Sequence, residues 1–146
     1  MTNPLDVHAN VTWLVFCHPD VDPDLVTQIL ELQPSETTRV GESYTWFGGA
    51  RVSNVGMWKL RLNASDKQDG IEQQLEQWVE MLRPKAAAFV RLKDLGYGPY
   101  IDCKAESRSL SVSLDPDVLA ALGELRIGLS VWLYEQAPGD RALTSS

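Results

Sequence analysis

The chain has 146 residues, 44% hydrophobic and 23% charged, and its 13 basic and 20 acidic side chains leave a net charge of −7. One folded domain is the expectation at this length and composition. The acidic balance argues against nucleic acid and anionic membranes, both of which need a basic footprint, and it suits a basic protein partner.

Alternation from Val11 to His18 predicts a central strand. Val11, Trp13, Val15 and Cys17 share one face, Thr12, Leu14, Phe16 and His18 the other, and both are apolar enough to be buried. Asp22-Pro23-Asp24 then supplies a cap and a first-turn proline, predicting a helix from Pro23 to Leu32 that Pro34 ends. The stretch from Ser35 to Gly56 is the least regular. Tyr44 to Phe47 reads as a strand and Gly48-Gly49 as a turn. Trp58, Leu60 and Leu62 alternate with Lys59, Arg61 and Asn63, predicting a half-exposed strand.

Ile71, Leu75, Trp78, Val79 and Leu82 recur at helical spacing and predict an amphipathic helix. Pro84 interrupts it, Lys85 to Leu95 reads as a second helical piece, and Gly96 is placed for a left-handed cap. Next, Ile101, Cys103 and Ala105 alternate with Asp102, Lys104 and Glu106. Leu110, Val112 and Leu114 follow so closely that a hairpin is expected. Asp115-Pro116-Asp117 opens another helix carrying Val118, Leu119, Leu122 and Leu125. The last strand shows Ile127, Leu129, Val131 and Leu133 on one face and Gly128, Ser130, Trp132 and Tyr134 on the other.

This order predicts an α+β fold: an antiparallel sheet with helices packed mainly on one face, in a ferredoxin-like layout. Residues 1–134 form the expected domain, and the small, polar residues 135–146 a flexible tail. The two Asp-Pro-Asp segments record either a duplicated unit or two helices with the same good cap. The first ten residues lack a basic start and an apolar run, and no segment approaches the length of a membrane span. No signal peptide is therefore expected, and the cytoplasm is the expected compartment.

Catalytic signatures are missing. The only histidines are His8 and His18, and Cys17 and His18 point to opposite faces of one strand. Cys17 and Cys103 read as small buried hydrophobes. His18, Asp20, Asp22 and Asp24 lack the glycine and distal glutamate of a calcium loop and read as capping residues. Gly48-Gly49 and Gly96-Tyr97-Gly98 match no phosphate-binding motif. No catalytic residue, metal or cofactor is expected, and an enzyme is the least favoured reading.

The aromatic residues carry more information. Trp13, Trp58 and Trp78 sit on predicted apolar faces and are expected in the core. Trp132 and Tyr134 lie opposite the aliphatic face of the last strand, and Tyr100 can share their side with Lys59, Arg61, Asp102 and Lys104. Such a mixture suits partner binding, unless residues 35–56 cover it. A second candidate is a ligand pocket between the sheet and residues 35–56, lined by Arg39, Tyr44, Trp46 and Arg61.

A resemblance rests on several of these features together. They are Leu30-Glu31-Leu32-Gln33-Pro34-Ser35-Glu36 followed by Arg39 and Gly41, Trp58 opening a strand, Leu82-Arg83-Pro84 closing a helix, and a last strand ending Leu133-Tyr134. From about Thr12 to Tyr134 the chain resembles the bacterial family called domain of unknown function 4279. The resemblance implies a small bacterial α+β protein and no particular activity. From the residues, the leading expectation is an acidic protein-interaction module, immunity-like or regulatory, with a homodimer through the exposed strand face also open. The alternative is a small-molecule binding or sensing domain with its pocket near residues 35–61.

Overall fold

A computed structural model of the protein describes residues 10–62, 70–106 and 112–134. The chain runs β1 (Asn10–His18), α1 (Pro23–Leu30), β2 (Glu36–Thr38), β3 (Ser43–Trp46), β4 (Gly49–Val52) and β5 (Gly56–Arg61). It continues with α2 (Ile71–Leu82), a 3₁₀ turn (Arg83–Lys85), α3 (Ala86–Asp94), β6 (Pro99–Glu106), α4 (Pro116–Glu124) and β7 (Gly128–Tyr134). The fold is α+β.

Five strands form the main sheet in the order β2-β5-β1-β6-β7, and β3 and β4 form a separate hairpin. β1 lies at the centre, antiparallel to both β5 and β6. β2 is antiparallel to β5. β7 is parallel to β6, so the sheet is mixed and not purely antiparallel as its alternation suggested. The cause is α4: a helix between two neighbouring strands returns the chain to the end where it started, whereas a tight turn would reverse it. Among the described residues the second arm of the hairpin expected between Ile101 and Leu114 is not a strand. Val112 and Leu114 lie outside any strand and pack against the core, and Leu110 is outside the described residues. The tail expected at 135–146 is likewise outside them.

Both Asp-Pro-Asp segments cap helices in the same way. Asp22 accepts from the Asp24 backbone N–H and Asp115 from that of Asp117, with proline in the first turn of each helix. α1 stops at Leu30, short of the expected Leu32, because Glu31 adopts a left-handed conformation. Lys85 donates to the Leu30 carbonyl at 2.9 Å, where a cation meets the negative end of the helix. α3 is closed by Gly96 in the expected cap: φ is 84°, and the Tyr97 N–H reaches back to the Leu92 carbonyl.

The core lies between one face of the sheet and the helices. Leu14, Phe16, Trp58, Ile101 and Cys103 from the strands meet Val26, Leu30, Leu75, Trp78, Leu82, Phe89, Leu92 and Leu122 from α1, α2, α3 and α4. Phe16 packs edge-on to Trp58 at 5.6 Å between ring centroids. Two tryptophan N–H groups are satisfied within it, Trp58 by the Thr27 hydroxyl and Trp78 by the Thr12 hydroxyl, each at 2.9 Å. Thr12 in turn donates to Gln74 Oε1 at 2.7 Å, and Gln74 Nε2 donates to the Asn10 carbonyl. A buried polar network thus fixes α2 against β1 in one register.

Trp13 departs from expectation. It belongs to the opposite face and is only half-buried, because the one-residue alternation that sends Thr12 and Leu14 into the core sends Trp13 away from it.

Candidate functional site

The face of the sheet turned away from the core carries no helix among the described residues. Register places the side chains around its centre in three rows. Lys59, Val15, Tyr100 and Gly128 form the first; Arg61, Trp13, Asp102 and Ser130 the second; Val11, Lys104 and Trp132 the third. Val15 sits between Lys59 and Tyr100 and is buried, although it belongs to the helix-free side.

Two features organise this surface. On one side, the Lys59 ammonium lies 4.5 Å from the Trp13 ring centroid and the Arg61 guanidinium 5.9 Å from it. These are cation–π contacts, and they hold both basic groups over the indole. On the other side, an open depression of about 530 Å³ is lined by Tyr100, Asp102, Lys104, Gly128, Ser130 and Trp132. It exists because β7 presents Gly128 and Ser130 there, while the larger Trp132 stands at one end. Trp132 is 60% exposed. Burial, with smaller contributions from Cys17 and Asp102, raises the Tyr100 pKa and keeps its hydroxyl a donor to higher pH. The depression therefore offers an apolar wall, a carboxylate, an ammonium and two hydroxyls in an open setting.

The structure brings together Tyr100 and Trp132. Both line the depression, and Trp132 pairs with Lys104, roughly 13 Å along the strand from Tyr100. Tyr134 pairs with Glu106 at the end of β7, its side chain outside the described part. Sequence reading missed Trp13 as a member of this face. The signal was its alternation with Leu14, but only the pairing of β1 with β5 reveals that Lys59 and Arg61 reach it.

Arg39, Tyr44, Trp46 and Arg61 occupy different settings. Arg39 follows β2 and forms ion pairs with Asp22 and Asp24 at the start of α1, on the helix side. Its hydrogen bond to Asp24 raises its pKa further. Arg61 lies on the helix-free face over Trp13. Tyr44 is exposed in β3, opposite Arg51, and Trp46 pairs with Gly49 beside the turn, its side chain outside the described part. The β3–β4 ladder is extended by hydrogen bonds from the Gly41 N–H to the Ser53 carbonyl and from the Ser53 N–H to the Glu42 carbonyl. Phe47 at its tip is 88% exposed.

Cys17 and Cys103 are free and point to opposite faces of the sheet. Burial, aided by Asp102, pushes the Cys103 thiol up to about 12. Among the described residues no group of three His, Cys, Asp or Glu could hold a metal ion, and no helix is long and apolar enough to cross a membrane.

No curated protein and no solved structure matches the chain. The model of the family described as domain of unknown function DUF4279 matches residues 8–136, and the chain belongs to that family.

Proposed function

We propose that this chain is a protein-interaction module that receives its partner on the helix-free face of the sheet. The observation that carries the reading is the depression between Tyr100 and Trp132, where a largely exposed indole stands beside Asp102, Lys104 and Ser130. Interfaces draw their binding energy from a few aromatic and arginine anchors set among polar groups, and this face has Trp13, Tyr100, Trp132 and Arg61 in that role. Small-molecule sites are usually more enclosed, so an open depression favours a macromolecular partner. The net charge of −7 favours a basic one. A pocket near residues 35–61 has less support, because Arg39 is engaged with Asp22 and Asp24 while Arg61 sits over Trp13.

In this reading the run β2-β5-β1-β6, each strand antiparallel to its neighbour, is a ferredoxin-like unit to which α4 and β7 are added. Family membership supports a bacterial origin. Two free cysteines on opposite faces suit the reducing cytoplasm.

The test is affinity purification of the tagged chain from its native host, with quantitative mass spectrometry, beside Tyr100→Ala, Trp132→Ala and a Phe47→Ala control. A stoichiometric protein lost with the first two variants and kept by the control supports the reading. A partner that ignores both substitutions removes this face from the proposal, and the absence of any partner counts against the module itself.

A further inference from the structure

The two edges of the main sheet are unlike. β2 is three residues long, begins with Glu36, and is followed by the charged Arg39. Short, charged edges resist pairing with another chain. β7 has seven residues, Gly-Leu-Ser-Val-Trp-Leu-Tyr, with no charge and no proline. Among the described residues its only strand neighbour is β6, so one row of backbone N–H and C=O groups has no ladder partner. Val131 on the helix side is 37% exposed and Trp132 on the helix-free side 60%. Such an edge is a template for another strand unless something else protects it.

We infer that two copies of this chain pair edge to edge through β7, antiparallel about a two-fold axis at Val131. The strand is self-complementary in this register. Val131 is its midpoint, so all seven positions find a partner: Val131 meets Val131, Leu129 meets Leu133, Ser130 meets Trp132, and Gly128 meets Tyr134. Because the paired positions have the same parity, aliphatic side chains meet aliphatic ones on the helix side. On the other face, each Trp132 stands across from the partner's Ser130, with the partner's Gly128 on the diagonal. No like charges meet at the seam, so the −7 carried by each chain lies elsewhere. The product is a continuous ten-stranded sheet with all the described helices on one side and an isologous interface.

The test uses the full chain with Val131→Lys and Val131→Glu, since the axis sets position 131 of one copy against position 131 of the other. Mass is read by sedimentation velocity at rising concentration, and circular dichroism melting confirms that each variant folds. The wild-type chain is expected to sediment as a dimer, each folded variant alone as a monomer, and an equimolar mixture of the two as a dimer restored by opposite charge. A wild-type chain that stays monomeric overturns the proposal. So does a folded Lys variant that remains dimeric, or a mixture of folded variants that stays monomeric. Val131 lies on the helix side, away from Tyr100 and the face of Trp132, so partner capture by Val131→Lys reports separately on the interaction module.

Discussion

Gly56 crosses the Val21 backbone so closely that no side chain fits between them: a Cβ at position 56 would lie 1.9 Å from the Val21 carbonyl oxygen. Gly56 opens β5 opposite His18, the last residue of β1, and Val21 belongs to the turn that leads into α1. The absent Cβ lets the β1–α1 connection fold back onto the start of β5. Tyr97 reinforces that turn, donating to the Asp20 carbonyl at 2.8 Å and accepting from the Asp22 N–H at 3.2 Å.

Gly56→Ala is therefore expected to destabilise the fold by about 3 kcal/mol or more, as overpacking against rigid backbone does. Gly123→Ala is the matched control. Gly123 lies in α4 with open space where its Cβ would go, and alanine there is expected to stabilise by about 0.5–1 kcal/mol. Urea midpoints of the two variants should move in opposite directions. A Gly56→Ala midpoint equal to wild type would mean that the turn yields without cost.

Thr12→Val keeps the shape of a fully buried residue but removes the hydroxyl that accepts from Trp78 and donates to Gln74. It is expected to cost about 2 kcal/mol, the usual penalty for leaving a buried N–H without its acceptor. Thr12→Ser keeps the hydroxyl and loses one methyl group, so it should cost about 1 kcal/mol. Chemical denaturation ranks the two, and a Val variant as stable as the Ser variant would show that the network contributes little.

The thiols should behave differently. Cys17 is partly exposed on the helix-free face, whereas Cys103 is completely buried. A thiol reagent at neutral pH is expected to modify Cys17 in the folded protein and Cys103 only on unfolding. Rapid reaction at both sites would contradict the placement of β6.

Cys103 also gives stability an alkaline limit. Its thiol ionises at about 9 in the unfolded chain but at about 12 in the fold. Between these values the unfolded state has released a proton that the folded state still holds, so stability falls as pH rises, by at most about 1.4 kcal/mol per pH unit. Tyr100, whose pKa is raised from 10, acts in the same direction at higher pH. Cys103→Ala should flatten the loss of stability above pH 9, measured by denaturant titration across the alkaline range.

Arg39 is exposed, and its pairs with Asp22 and Asp24 compete with water and salt. Arg39→Ala is expected to shift the melting temperature slightly at low ionic strength and not at all in high salt. A shift of the same size in both would point to packing by the side-chain stem.

What the sequence by itself determined here is local. Proline and aspartate placed the starts of α1 and α4, helical spacing placed α2, Gly96 placed the end of α3, and alternation assigned faces within β1, β5, β6 and β7. These signals lie within a few residues of one another, and steric and capping rules act at that range. The common side of Tyr100 and Trp132 was also legible from alternation. Which strands become neighbours depended on tertiary structure, because pairing joins residues dozens of positions apart and is decided by total burial. That choice made β7 parallel to β6 through α4, left Val112 and Leu114 outside the sheet, and turned Trp13 from an expected core residue into a platform for Lys59 and Arg61. It also left the uncharged β7 on the edge of the sheet among the described residues.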